Sequence, residues 1–258
     1  MRYIQPEFNI KVGYAFSSGS ECSNATAARK ICGDTAISCR LPDGSLALML
    51  SDGMGKGIKA AADSKLVVTR LRRNLKNGMP PSKAIKEVNR YMIYGASDLS
   101  NESFATADIT IIDRKTCQAK FYKMGAATTF IVRGQKVKKI EQQALPVGII
   151  PKIKSSYIAA QLGEGDVIIM VSDGVTDADR EDPESCWLLK FLTHINEGTA
   201  FEYINENNAT HSKTVFLSQT PRILAQTVLQ MAQEKYGHRE QDDLTVAVAV
   251  IAKDDFNR

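Results

Sequence analysis

The stretch Leu48-Met49-Leu50-Ser51-Asp52-Gly53-Met54-Gly55-Lys56-Gly57 constrains this chain more than any other. An apolar run ends in Ser-Asp-Gly and then breaks into glycines. That is the pattern of a buried strand opening into a turn at its C-terminal end. Its first half recurs downstream as Val167-Ile168-Ile169-Met170-Val171-Ser172-Asp173-Gly174. Two buried strands that each deliver Ser-Asp-Gly at the same end aim two carboxylates at one place.

The rest of the chain reads as hairpins and helices around these strands. Asn9 to Phe16 alternates as a half-buried strand, and Ser17 to Gly33 is a Ser, Gly, Ala and Asn-rich loop. Asp34 to Leu41 and Ser45 to Ser51 are strands joined by Pro42-Asp43-Gly44, a hairpin turn. The start of the first strand then lies beside the end of the second, which places Asp34 next to Asp52. A helix is predicted from Ile58 to Leu75, closed near Gly78, and a second opens at Pro80-Pro81-Ser82 and runs to Tyr94. Phe104 to Asp113, Thr116 to Met124, Thr128 to Val132, Lys136 to Ile140, Ser156 to Leu162 and Val167 to Val171 read as strands in hairpins. Beyond Asp173 lie a helix at Trp187 to His194 and an irregular insertion over about 195–219. A last helix starts at Thr220-Pro221 with Thr220 as N-cap and ends at Gly237, and Leu244 to Ile251 is a closing strand.

Strands and helices do not alternate one for one, so a parallel sheet is unsuited. The expected class is α+β, a sandwich of two antiparallel sheets flanked by helices, in a single domain over 1–258 with its core at about 10–251.

The 258 residues suffice for a sizeable core without staples. The net charge of +4 is modest. The basic groups Arg70, Arg72 and Arg73 and Lys136, Lys138 and Lys139 lack the interleaved aromatics of a nucleic-acid surface. No nucleic-acid partner is expected. Five cysteines with no Cys-x-x-Cys argue against a structural zinc site or a secreted disulfide framework and fit reduced thiols in a cytoplasmic protein. Cys22 and Cys32 flank the loop near the expected site, which leaves a redox or incidental metal role open. No apolar run spans a bilayer and the N-terminus lacks a signal-peptide core, so the chain itself does not insert. A membrane tether would have to come from a longer protein.

Four acidic positions sit at the boundaries of apolar strands: Asp34, Asp52, Asp173 and the pair Asp242-Asp243. Magnesium and manganese take oxygen ligands from a few carboxylates and several waters, and Gly53 leaves its carbonyl unobstructed. Two such ions would activate a water and steady a phosphoryl group, so the expected chemistry is phosphate-ester hydrolysis. Any single Asp-Gly is better explained as a turn. Asp43-Gly44 is read that way and given no role. The glycines after Asp52 do not match a phosphate-binding loop pattern. They read as a joint into the helix at Ile58, whose N-terminus would favour phosphate.

Cys32-Gly33-Asp34-Thr35, Ser51-Asp52-Gly53-Met54-Gly55-Lys56-Gly57, Ser103-Phe104-Ala105-Thr106, Leu145-Pro146-Val147-Gly148-Ile149, Ser172-Asp173-Gly174 and Asp242-Asp243-Leu244-Thr245-Val246 follow one another in this order. In that order they resemble the metal-dependent (PPM/PP2C-type) serine/threonine phosphatases. The nearest branch is bacterial: the sporulation stage II protein E phosphatase domain and the phosphatases of stress-response partner switching.

The resemblance implies a PP2C-like sandwich and two divalent ions, Mn²⁺ or Mg²⁺. Asp52 would bridge both, with the Gly53 carbonyl beside it. Asp34, Asp173 and Asp242 would complete the shells, and catalysis would run through Asp34 and Asp52. Met54 stands where eukaryotic members commonly have a histidine. The two helices at Ile58–Leu75 and Ser82–Tyr94 resemble regulatory helices whose movement completes the metal site. The implied substrate is a phosphorylated STAS-type anti-sigma factor antagonist or similar phosphoprotein. The alternative is a gated or inactive module that uses the same fold for binding in partner switching. His194, His211 and His238 fall outside the motifs and are read as surface or packing residues. The oligomeric state stays open, a homodimer included.

Overall fold

A computed structural model describes residues 7–19, 31–95, 103–179, 187–195, 200–204, 210–214, 220–237 and 242–253. Two five-stranded antiparallel sheets carry the chain. The first has the order β2(Asp34–Arg40)-β3(Leu46–Asp52)-β4(Ala107–Ile112)-β5(Gln118–Met124)-β8(Ile158–Gln161). The second has the order β1(Phe8–Ser17)-β12(Leu244–Lys253)-β9(Val167–Val171)-β6(Thr129–Arg133)-β7(Lys136–Ile140). Helices α1(Ile58–Lys76) and α2(Pro81–Tyr94) cover the outer face of the first sheet. Helices α4(Trp187–His194) and α5(Pro221–Tyr236) cover that of the second.

The strand sequences explain these layers. Side chains alternate across a strand, so a run that is apolar throughout must be buried on both faces. In β3, Leu48 and Leu50 face the other sheet while Ala47 and Met49 meet the helices. In β9, Ile168 and Met170 enter the space between the sheets while Val167, Ile169 and Val171 meet the helical layer. Asp52 continues the Leu48–Leu50 face, so it arrives at the open end of the space between the sheets.

The expected hairpin is present in register. Asp34 pairs with Asp52 across β2 and β3, and the Asp43 carboxylate accepts the Ser45 N–H at 3.0 Å to hold the turn. Gly78 ends α1, with the N–H groups of Gly78 and Met79 donating to the Leu75 and Asn74 carbonyls.

Three expectations need correction. The strand expected from Phe104 narrows to Ala107–Ile112, because Ala105 is pulled into an isolated bridge between Gly53 and Val147. The stretch 195–219 is not irregular throughout: β10(Ala200–Ile204) and β11(Thr210–Thr214) pair as an antiparallel hairpin. The polar sequence of β11 hides it from apolar periodicity. Thr220 sits at the start of α5 but makes no side-chain cap. A short helix α3(Asp173–Thr176), not anticipated, follows β9 directly.

Deep between the sheets sits a polar group of three residues. Lys123, Asp108 and Thr129 are each 0% exposed. The Lys123 ammonium donates to Asp108 Oδ2 at 2.5 Å and to the Thr129 hydroxyl at 2.9 Å. Thr129 in turn donates to Asp108 Oδ2 at 2.9 Å, and Asp108 Oδ1 has no partner.

Candidate metal centre

The two Ser-Asp-Gly strand ends are built alike. The Ser51 hydroxyl donates to the Thr106 carbonyl at 2.6 Å, the Asp52 N–H donates to the Thr106 hydroxyl at 2.8 Å, and the Thr106 N–H returns to the Asp52 carbonyl at 2.9 Å. Ser172 does the same work on the other sheet. Its hydroxyl accepts the Thr245 N–H at 2.9 Å and faces the Asp243 carbonyl at 3.4 Å. Each serine ties its strand end to a neighbouring strand, and the aspartate that follows is held by fixed backbone.

The glycines after both aspartates are required by close approach. A Cβ on Gly53 would lie 1.9 Å from the Ala60 carbonyl oxygen of α1. A Cβ on Gly174 would lie 2.3 Å from the Asp243 carbonyl oxygen. Gly53 therefore lets α1 pack onto the end of β3, and Gly174 lets the segment carrying Asp242 pass beside Asp173. Helix α1 is fastened to the same rim by Asp63, which accepts a short hydrogen bond from Ser103, and by Ser64, whose hydroxyl meets that of Thr35 at 2.9 Å.

The carboxylates gather at this end of the sandwich. Asp34 is 6% exposed, and neither of its oxygens has a hydrogen-bond partner. Burial pushes its carboxyl up to about 6. Asp52 is pushed up to about 10, first by burial and then by the charges of Asp34 and Asp173. Asp173 reaches solvent, yet the protein around it still raises its carboxyl, and Asp242 and Asp177 add to that. Among the described residues no three acidic, histidine or cysteine side chains close to the spacing of a formed ligand cage. The arrangement is an open one, of the kind a hard cation fills with waters between a few carboxylates. Buried like charges with orphaned oxygens fit that chemistry, because a cation relieves both the repulsion and the missing bonds.

Asp243 does something different from its neighbour. Its two oxygens accept the N–H groups of Gly33 at 2.6 Å and Gly19 at 2.8 Å. It clamps the backbone just before Asp34. Asp242 instead accepts the N–H of Asp243 at 2.9 Å. The roles of Ser51, Ser172, Thr106 and Asp243 are not visible in the sequence, since every one of these bonds joins distant positions.

Cys32 lies by this site, but burial and the charge of Asp34 push its thiol up to about 12, which keeps it protonated and poorly suited to redox or metal chemistry. Cys22 and His238 lie outside the described residues. The Nδ1 atom of His194 meets the Lys190 carbonyl at 2.7 Å within α4, and His211 lies in β11.

The raised carboxyls set a pH dependence. Asp34, Asp52 and Asp173 hold their protons more tightly in the folded chain than in the unfolded one. The stability contributed by these three carboxyls is therefore greatest at low pH and is lost as pH rises through the window from about 4 to about 6 for Asp34 and on toward about 10 for Asp52. Thermal melts in chelator are expected to show the melting temperature falling from about pH 5 to about pH 8, with added Mn²⁺ flattening the slope. A melting temperature that rises over that range in chelator would contradict this electrostatic reading.

The chain matches the family described as Stage II sporulation protein E (SpoIIE) over residues 42–251. It is 32% identical to the stage II sporulation protein E of Bacillus subtilis (strain 168) over 178 residues, covering 69% of this chain and 21% of that protein. It is 35% identical to that of Priestia megaterium over 150 residues, covering 58% of this chain and 25% of that protein. It thus spans only a part of the length of these relatives. Among solved structures it is similar to the PP2C phosphatase domain, with a fragment of the regulatory domain, of the cell fate determinant SpoIIE from Bacillus subtilis. The TM-score is 0.74 at 25% identity, covering 96% of this chain and 65% of that one.

Proposed function

The chain belongs to the stage II sporulation protein E family, and from that premise we propose that it is a metal-dependent protein phosphatase acting on phosphoserine or phosphothreonine. The observation that carries this reading is the convergence of Asp34 and Asp52 from one sheet with Asp173 and Asp242 from the other, with the Asp52 carboxyl pushed up to about 10 by its surroundings. Asp52, between Asp34 and Asp173, is suited to bridge two divalent ions, Mn²⁺ or Mg²⁺. Asp34, with its two unpartnered oxygens, Asp173 and Asp242 would hold them together with Asp52, and the Gly53 carbonyl would be a further oxygen ligand. Bound ions supply charge stabilisation for the phosphoryl oxygens and a water acidic enough to attack at neutral pH. No nucleophilic side chain is then needed.

Exposed apolar residues favour a protein-sized substrate. Met54 and Ile58 are 56% and 76% exposed on the loop that leaves Asp52 and at the start of α1. The Met54 N–H meets the Phe104 carbonyl, and Gly148 packs on Phe104, which brings the exposed Ile149 and Ile150 into the same neighbourhood. Such a lip suits a folded partner. The substrate we propose is a phosphorylated STAS-type anti-sigma factor antagonist. No described helix is long and apolar enough to cross a membrane, and the reading places substrate and enzyme in the cytoplasm.

The test is to incubate the chain and Mn²⁺ with a serine-phosphorylated STAS-domain protein and follow phosphate release. Loss of the phosphoryl group is the expected result. Hydrolysis of free phosphoserine with the phosphoprotein left intact would contradict a protein substrate.

A further inference from the structure

Asp34 and Asp52 ride on one sheet, while Asp173 and Asp242 flank strands of the other. The spacing of the four carboxylates therefore depends on how the sheets lie on each other. Apolar packing is non-directional, so polar bonds between the sheets, the Asp243 clamp on Gly33 among them, help to set that alignment. The buried polar group lies directly beneath the site. Asp108 pairs with Leu50, two residues before Asp52. Thr129 pairs with Met170, three residues before Asp173.

Asp108 and Lys123 belong to the first sheet and Thr129 to the second. The hydrogen bonds of the Thr129 hydroxyl to both, each 2.9 Å, therefore cross between the sheets. A second crossing runs from the Thr110 hydroxyl to Met170 Sδ at 3.3 Å. Directional bonds in a dry interior define one alignment where apolar contact tolerates several. None of these residues reaches the reacting atoms.

We infer that Thr129, working with the Asp108–Lys123 pair, is a positioning residue that fixes the alignment of the two sheets and through it the spacing of the metal-binding carboxylates. The inference rests on the reading of Asp34, Asp52, Asp173 and Asp242 as metal ligands.

Thr129→Val keeps the shape of the side chain and removes the hydroxyl, whereas Thr129→Ser keeps the hydroxyl. Val228→Ala lowers stability in the layer between the second sheet and α5, away from the crossing. Mn²⁺ affinity of the whole chain is measured by titration calorimetry beside a thermal melt. Thr129→Val is expected to weaken Mn²⁺ binding about tenfold, as loss of supporting groups around metal ligands does. Thr129→Ser and Val228→Ala should bind nearly as the parent does. Should Thr129→Val not fold, Thr110→Val breaks the other crossing and is read the same way.

A Thr129→Val chain that melts lower yet binds Mn²⁺ as the parent does would overturn the inference and leave the metal-site reading standing. Equal weakening in Val228→Ala would overturn it as well. A parent chain that takes up no Mn²⁺ would overturn both.

Discussion

Asp52→Asn is expected to lower metal-dependent phosphate hydrolysis by about a thousandfold or more, equivalent to about 4 kcal/mol of transition-state stabilisation. The same substitution is expected to raise the melting temperature of the metal-free chain. Both effects come from one arrangement. Asp52 is strongly opposed by its surroundings, by burial and then by Asp34 and Asp173. Removing its charge relieves the folded state wherever the unfolded group would be ionised. It also removes the ligand suited to bridge two ions. An ordinary damaging mutation lowers activity and stability together, so the opposite signs are the signature. Thermal melts in chelator, paired with rates in Mn²⁺, check it. A metal-free Asp52→Asn chain that melts well below the parent would show that the carboxylate is structural.

Lys123→Met is expected to destabilise the fold by about 3–5 kcal/mol, the range for leaving one partner of a buried ion pair behind. Lys123 and Asp108 are both fully buried and 2.5 Å apart, and Asp108 Oδ1 already lacks a partner. Without the ammonium, Asp108 keeps only the Thr129 hydroxyl. The double variant Lys123→Met, Asp108→Leu should recover much of the loss, since two apolar side chains can fill the site without an orphaned charge. Urea unfolding of the single and double variants measures this. A single variant within about 1 kcal/mol of the parent would mean that the pair is not sealed from water.

The expected α+β sandwich of two antiparallel sheets is the observed architecture, and it is the fold of PP2C phosphatase domains. It was legible because β3 and β9 are apolar on both faces and because Pro42-Asp43-Gly44 sets the register that pairs Asp34 with Asp52. Local chemistry sufficed there. It did not suffice for Lys123, which sits in the mixed sequence Gln118–Met124 and looks like a surface residue until Asp108 and Thr129 meet it. Nor could it separate Asp242 from Asp243, adjacent residues with different hydrogen-bond partners, because the clamp on Gly33 and Gly19 spans more than two hundred residues. Ser103-Phe104-Ala105-Thr106 carried a family resemblance without a role. In the structure its Thr106 holds the end of β3, Ala105 bridges Gly53, and Ser103 ties down α1.

The most direct test of the account is the hydrolysis of p-nitrophenyl phosphate by the purified chain, with Mn²⁺ and then with excess chelator. Turnover that requires Mn²⁺ or Mg²⁺, and returns when the metal is restored, is the predicted result. Undiminished turnover in excess chelator would contradict a reaction carried by divalent cations on Asp34, Asp52, Asp173 and Asp242.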